Sequence, residues 1–391
     1  GMLASDFHAG DPYSDHYSLE LLQDDTYFAD GQIKDEVYVY GSFMQSKMYH
    51  KGIRCTDCHD PHSLKLKQPG NQTCTSCHQH AAGKYDVPSH HHHVPGTVGS
   101  MCVDCHMPER TYMDVDPRRD HSLRVPRPDL SLATGAPNAC TMCHEDRDTA
   151  WAAEAARDWW GEPGMRAPVD SGIRRATALA TLAMPVPQDA VPAVERGLRD
   201  PDPLVRMEAA RVAPGLPPDS LLQQLTPLLE DDILSVRLEA VQALAPARDY
   251  LPATVLGALE RAADEYRASQ YAVASRPQAH GALAELEGRL GNIEQALVHA
   301  NQGIAMAPDM ALLRYSRGLL LVRANRHSEA LDDLRKAAEL APEAARFAYD
   351  YAVALNSLGD PAAARQVLED AAIRHPDDAD IAAFLEMLQA D

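Results

Sequence analysis

From about residue 165 onward, apolar and polar positions alternate with a helical period, Ala and Leu returning every three to four residues. Residues 1–150 show little sustained periodicity and are rich in Gly, Pro, Asp and His. The contrast predicts an irregular N-terminal region followed by amphipathic helices. Trp151 to Trp160 reads as a helix closing the first region, with Gly161 and Gly164 ending it. The helical part repeats itself. Ile173-Arg174, Val205-Arg206 and Val236-Arg237 each precede an alanine-rich stretch, at intervals of 32 and 31 residues. Asp200-Pro201-Asp202 and Asp231-Asp232 stand before two of these stretches, as turn and N-cap residues do. Further on, four columns keep a period of 34: Ala284/Gly318/Ala352, Gly291/Asn325/Gly359, Ala296/Ala330/Ala364 and Pro308/Pro342/Pro376.

The first set resembles HEAT repeats, whose paired helices stack into a solenoid. The second resembles the tetratricopeptide repeat: a small residue in the first helix, a Gly or Asn turn, an Ala in the second helix and a closing Pro. The expected domains are residues 1–163, HEAT-like repeats over 164–265 and tetratricopeptide repeats over 266–391. Solenoids of this kind offer a long concave surface to other proteins. The expected partners are therefore other proteins or copies of the same chain, in a homo-oligomer or polymer.

The chemistry lies in the irregular region. Cys55-Thr56-Asp57-Cys58-His59, Cys74-Thr75-Ser76-Cys77-His78, Cys102-Val103-Asp104-Cys105-His106 and Cys140-Thr141-Met142-Cys143-His144 are four copies of C-x-x-C-H. That is the attachment motif of c-type haem: two thiols reach the vinyl groups of one porphyrin and the adjacent imidazole coordinates its iron. All 8 cysteines fall in these motifs. Structural zinc does not require a His after every second Cys, and a redox dithiol would be one pair on a βαβ unit. The expected cofactors are four covalently attached haems. The expected fold class is mainly α, an irregular multihaem cytochrome c domain followed by an α-solenoid. Thioether formation needs reduced thiols and haem delivered outside the cytoplasm, so the protein is expected to be exported, periplasmic or extracellular, and the sequence to be either the mature form or one from which a leader has been removed. No apolar run is long enough to span a membrane. The formal net charge of −21 argues against nucleic acid or an anionic membrane as partner.

Each iron has a second axial position to fill. Of 18 histidines, only His280, His299, His327 and His375 lie beyond the motifs, leaving 14 before residue 145. Ten of those stand outside the motifs: His8, His16, His50, His62, His80, His90, His91, His92, His93 and His121. His62, in Cys58-His59-Asp60-Pro61-His62, is too near to reach the far face of its own porphyrin and is expected to ligate a neighbouring haem. One or two of His90, His91 and His93 are expected ligands, and so is His121. Arg118 and Arg119 beside His121 suit bidentate contacts to propionates. His8, His16, His50, His80 and His92 stay undecided.

Gly41 to His144 resembles multihaem cytochromes related to the cytochrome c nitrite reductase and hydroxylamine oxidoreductase group, and more closely exported cytochromes with tetratricopeptide C-termini. The resemblance is carried by Tyr40-Gly41-Ser42-Phe43, Gly52 to His62, Cys105-His106-Met107-Pro108 and Asp116 to His121. It departs from the group twice. The nitrite reductases carry Lys for His in the catalytic motif, and all four motifs here end in His. Related cytochromes often read Q-S-x-H, where Gln45-Ser46-Lys47-Met48 puts Met48. Met48 either ligates iron or, as methionine more often does, fills the core with His50 as ligand instead. Two functions fit: an electron carrier, or a reductase of a nitrogen or sulfur oxyanion at a five-coordinate haem. The second needs a donor pocket, for which Arg110, Tyr112, Arg118, Arg119 and Arg124 are the candidates, with no catalytic motif among them.

Overall fold

The computed structural model describes residues 2–4, 6–8, 10–80, 83–161 and 170–390. The expected helix stop at Gly164 and the expected boundary at 163/164 lie outside them. The protein is mostly helical, and its chain forms two compact units, one of Leu19–Ala209 and one of Gly1–Ser18 with Ala210–Asp391. A one-turn helix, α1 (Tyr13–His16), belongs to the second unit.

The first unit begins with α2 (Val39–Met44) and four short helices: α3 (Cys55–Cys58), α4 (Gln72–Thr75), α5 (Pro88–His91) and α6 (Cys102–His106). One helical turn brings the first and fourth residues of C-x-x-C to the same side. After α3 the chain then leaves the helix, His59 being extended at φ −108°. A small core of Tyr27, Ile33, Val37 and Tyr112 packs beside an antiparallel hairpin, β1 (Glu109–Tyr112) and β2 (Asp116–Arg119). Next come α7 (Pro128–Thr134) and α8 (Thr149–Trp160). The Asp148 carboxylate caps α8 by accepting from the Trp151 N–H at 2.8 Å, and Gly161 ends it at φ +80°.

α9 (Gly172–Ala180) packs within the same unit. The Leu22 N–H donates to Thr177 Oγ1 (3.1 Å), and Arg174 donates to the Asp30 carbonyl (3.0 Å) and Gln45 Oε1 (2.8 Å). α10 (Val191–Gly197) and α11 (Pro203–Val212) follow. Ile173, Val205 and Val236, the apolar halves of the repeated dipeptides, are all buried in the first turns of their helices. Asp202 acts as the expected N-cap, accepting from the Leu204 N–H at 3.0 Å.

The second unit carries α12 (Pro218–Leu225), α13 (Leu234–Leu244) and α14 (Ala253–Tyr271). Asp231 serves in the turn before α13, accepting from the Ile233 N–H, but a residue far away in sequence covers the helix end: Asp15 Oδ1 accepts from the Leu234 N–H at 2.6 Å. Three helix pairs follow: α15 (Pro277–Arg289) with α16 (Ile293–Met306), α17 (Ala311–Arg323) with α18 (His327–Leu340), and α19 (Ala345–Ser357) with α20 (Pro361–Arg374), closed by α21 (Ala379–Ala390). The 34-residue columns explain the pairing. Gly291, Asn325 and Gly359 turn each pair at φ +84°, +58° and +87°. Ala296, Ala330 and Ala364 are fully buried where the second helix meets the first. At Gly318 an added Cβ would come within 2.9 Å of Leu334, so the small residue sets the approach of α17 to α18.

Candidate haem-binding site

Among the described residues no disulfide joins the eight motif cysteines. The motifs neighbour one another in chain order. Cys58 is pushed up in pKa by burial and by adjacent Cys74. Cys74 shares a hydrogen bond with Cys102, which draws its own pKa down to about 7 and drives that of Cys102 up. Cys105 is pushed up to about 11 by burial and then by neighbouring Cys140. Asn71, a residue without a sequence signal, ties the second motif to the third. Its Oδ1 accepts from the Cys102 N–H (2.9 Å) while its Nδ2 donates to the Ser100 carbonyl and Asp86, both at 3.0 Å.

Three motif histidines face a second histidine from a distant part of the chain. His59 and His121 have ring centroids 6.4 Å apart, His106 and His90 6.2 Å, and His144 and His93 6.1 Å. Face-to-face stacking would bring rings closer, and none of the pairs is hydrogen-bonded. A metal held by both imidazoles, with two bonds of about 2 Å and the ring radii added, separates centroids by about 6.3 Å. The residues present therefore fit iron between paired imidazoles. Their remaining nitrogens are placed accordingly. Nδ1 of His59 bonds the Leu64 carbonyl (2.8 Å), His106 that of Arg124 (2.8 Å) and His121 that of Arg119 (2.9 Å), which leaves Nε2 for a metal. Burial, and then His106, hold His90 below the ordinary imidazole pKa, in the neutral form a ligand requires. Apolar side chains near the motifs lack protein cover, Leu64 at 74% and Val98 at 68% exposure, as the wall of a porphyrin pocket would.

His78 has the Tyr85 ring beside it at 6.0 Å, and Tyr85 also neighbours His80 and His90. His62 is exposed in a turn where Asp60 Oδ1 accepts from its N–H (3.2 Å). Among the described residues neither His62 nor His91 makes a ring contact with a motif histidine; His91 Nδ1 accepts from the His93 N–H at 3.1 Å. His92 stacks on Trp159, and His50 lies edge-on to Tyr49 with Met48 half-buried nearby. His8 is exposed, while His16 is buried, its ring nitrogens 3.5 and 3.6 Å from Asp6 and Asp11. The arginines expected to meet propionates or an oxyanion have protein partners. Arg118 pairs with Glu36 (2.7 Å) and Asp116 (2.6 Å), Arg119 with Asp104 (3.1 Å), and Arg124 with Asp30 (3.1 Å) and Asp120 (3.3 Å). Arg110 and Tyr112 both donate to the Ile33 carbonyl. The hairpin that brings Arg110 and Arg118 beside the segment from Ile33 to Val37 was not visible in the local sequence.

Comparison with known proteins identifies one motif family and two kinds of repeat. Residues 48–83 match the doubled CXXCH family, 170–245 the HEAT repeats, and 282–342 and 321–388 two tetratricopeptide repeat families. No curated protein matches the chain. Among solved structures, MamA 41-end from Desulfovibrio magneticus RS-1 is 16% identical, with 52% of this chain and 97% of that one covered and a TM-score of 0.31. YrrB, a TPR protein with an unusual peptide-binding site, is 16% identical over 59% of this chain and 95% of its own, with a TM-score of 0.30. The chain thus joins a paired c-type haem-binding motif to HEAT and tetratricopeptide repeats of the kind that contact other proteins.

Proposed function

We propose that the protein is an extracytoplasmic electron carrier with four covalently bound haems, whose repeats dock a redox partner or a second copy of the chain. The observation that carries this reading is the three histidine pairs at 6.1–6.4 Å. Iron held by two imidazoles has no open position for a substrate, which suits transfer rather than catalysis. When bound, c-type haem supplies one-electron redox chemistry. The chain contributes the anchoring: each C-x-x-C turn presents two thiols, and the carbonyl bonds at Nδ1 fix ring orientation and tautomer. Neighbouring motifs in the order one, two, three, four favour a relay along that sequence. Export is supported by the four C-x-x-C-H motifs, whose attachment chemistry is completed outside the cytoplasm. Electron paramagnetic resonance of the oxidised protein tests the proposal. Low-spin signals should dominate, and a majority of high-spin haem would overturn the carrier reading.

A further inference from the structure

His90 and His93 are three residues apart, yet they face the histidines of different motifs, His106 and His144. The chain must reorient between them, and it does so at His92, which has left-handed backbone (φ +55°). Left-handed backbone is uncommon for a non-glycine residue away from helix ends; here it caps α5, and the surroundings hold the ring it carries. The surroundings are the end of α8. The His92 ring stacks on Trp159 with centroids 4.3 Å apart and planes 8° from parallel. It also meets the edge of Trp160 at 5.7 Å, and the Trp160 indole N–H donates to the His90 carbonyl at 3.1 Å. At the other end of the same helix, Trp151 lies 5.1 Å from the ring of His144. One capped helix therefore touches both His144 and the segment that supplies its partner His93. The tryptophan pair is 40% and 48% exposed, so core burial is not its main contribution.

We infer that α8 is a positioning element for two axial-ligand pairs, with Trp159 and Trp160 as positioning residues that hold His90 and His93 toward His106 and His144. The inference rests on reading those histidines as iron ligands. An axial imidazole whose orientation changes alters the ligand field of its iron, which paramagnetic resonance reads directly.

The test uses the full-length haem-loaded protein, with haem content checked by intact mass. Trp160→Phe removes one hydrogen bond and keeps the ring; Trp159→Ala removes the stack, and Trp159→Phe retains an aromatic face. His90→Ala, His93→Ala and His121→Ala mark which signals belong to which pair. Trp159→Ala and Trp160→Phe should shift the signals marked by His90→Ala and His93→Ala, leave the one marked by His121→Ala in place, and keep haem content unchanged. Trp159→Phe should return the spectrum toward that of the parent. Unchanged spectra in both tryptophan variants would overturn the positioning role while the ligand reading stands. A shift in the His121-marked signal as well would overturn it too, since the effect would be general. Unchanged spectra in His90→Ala and His93→Ala would remove the ligand reading and this inference with it. Should Trp159→Ala fail to fold, Trp160→Phe decides alone.

Discussion

At the residue scale, an imidazole bonded through Nδ1 to a carbonyl has one nitrogen left, and its direction is set by that bond. His59 and His121 are both in this state, so their 6.4 Å separation is fixed from each side. His121→Ala should convert the haem of the first motif to high spin with the other signals intact, seen by paramagnetic resonance; an unaltered spectrum would detach His121 from iron. Gly99 gives a second test. A Cβ there would stand 2.2–2.7 Å from the His93 ring, closer than real Cβ contacts come, so the ring must shift. Gly99→Ala should therefore displace His93 and alter the signal of the fourth motif, while Gly52→Ala, where a Cβ meets nothing within 4 Å, should leave the spectrum alone despite some backbone strain. The C-x-x-C-H residues were legible because attachment is local chemistry. His121 was an expected ligand and His93 one of three candidates, but their partners were not legible, since nothing near them in sequence names a motif 62 or 51 residues away (121 − 59 and 144 − 93).

At the element scale, neighbouring elements are tied by Arg–carboxylate pairs: Arg175 of α9 with Asp200 in the turn before α11, and, helix to helix, Arg237 with Glu265, Arg267 with Glu287 and Arg317 with Asp333. Glu287 is almost fully buried, and burial alone would raise its pKa. Hydrogen bonds from Arg267 and Asn292 outweigh that and leave it below its ordinary value of 4.5. A carboxyl with a depressed folded pKa contributes stability that is fully present above its unfolded value and is lost as pH falls through the folded one. Glu287→Gln should thus weaken the protein near pH 7 and flatten the decline of urea stability below about pH 4.5. An acid limb as steep as the parent's would show that other groups set it. The cap of α13 is a separate case. Asp231 and Asp232 looked like its N-cap, yet Asp15 supplies the acceptor. Asp15→Ala should cost about 0.5–2 kcal/mol in urea unfolding, and no measurable loss would leave the Leu234 N–H satisfied by solvent.

At the scale of the whole molecule, α9 belongs to the same compact unit as the cysteine motifs, through Thr177 to Leu22 and Arg174 to Asp30 and Gln45. A chain cut near residue 164 removes those contacts; one cut after Ala209 keeps them. The intact protein should exceed its polypeptide mass by four haems. Residues 19–209 should retain them, and residues 19–163 should lose haem or fold poorly, both read by mass and pyridine haemochrome. Equal haem content in the two shorter chains would support the boundary expected from periodicity. Loss of assembly in both, by light scattering, would assign association to the repeats.

Periodicity and motif determined much of this protein unaided. A 34-residue repeat needs a left-handed turn, a buried Ala and a terminal Pro at fixed steps, and each such demand is written in a residue type at Gly291, Ala296 or Pro308. C-x-x-C-H likewise places thiols and imidazole within one turn and the next bond. Tertiary structure decided which histidine meets which motif, and that the arginines at 118, 119 and 124 pair with acids. It also decided that Asp15 caps α13 and that Trp159 and Trp160 grip the His90–His93 segment. Those contacts join segments far apart in the chain. An imidazole, carboxylate or indole is chemically the same whichever partner it meets, so its local sequence carries no record of the choice.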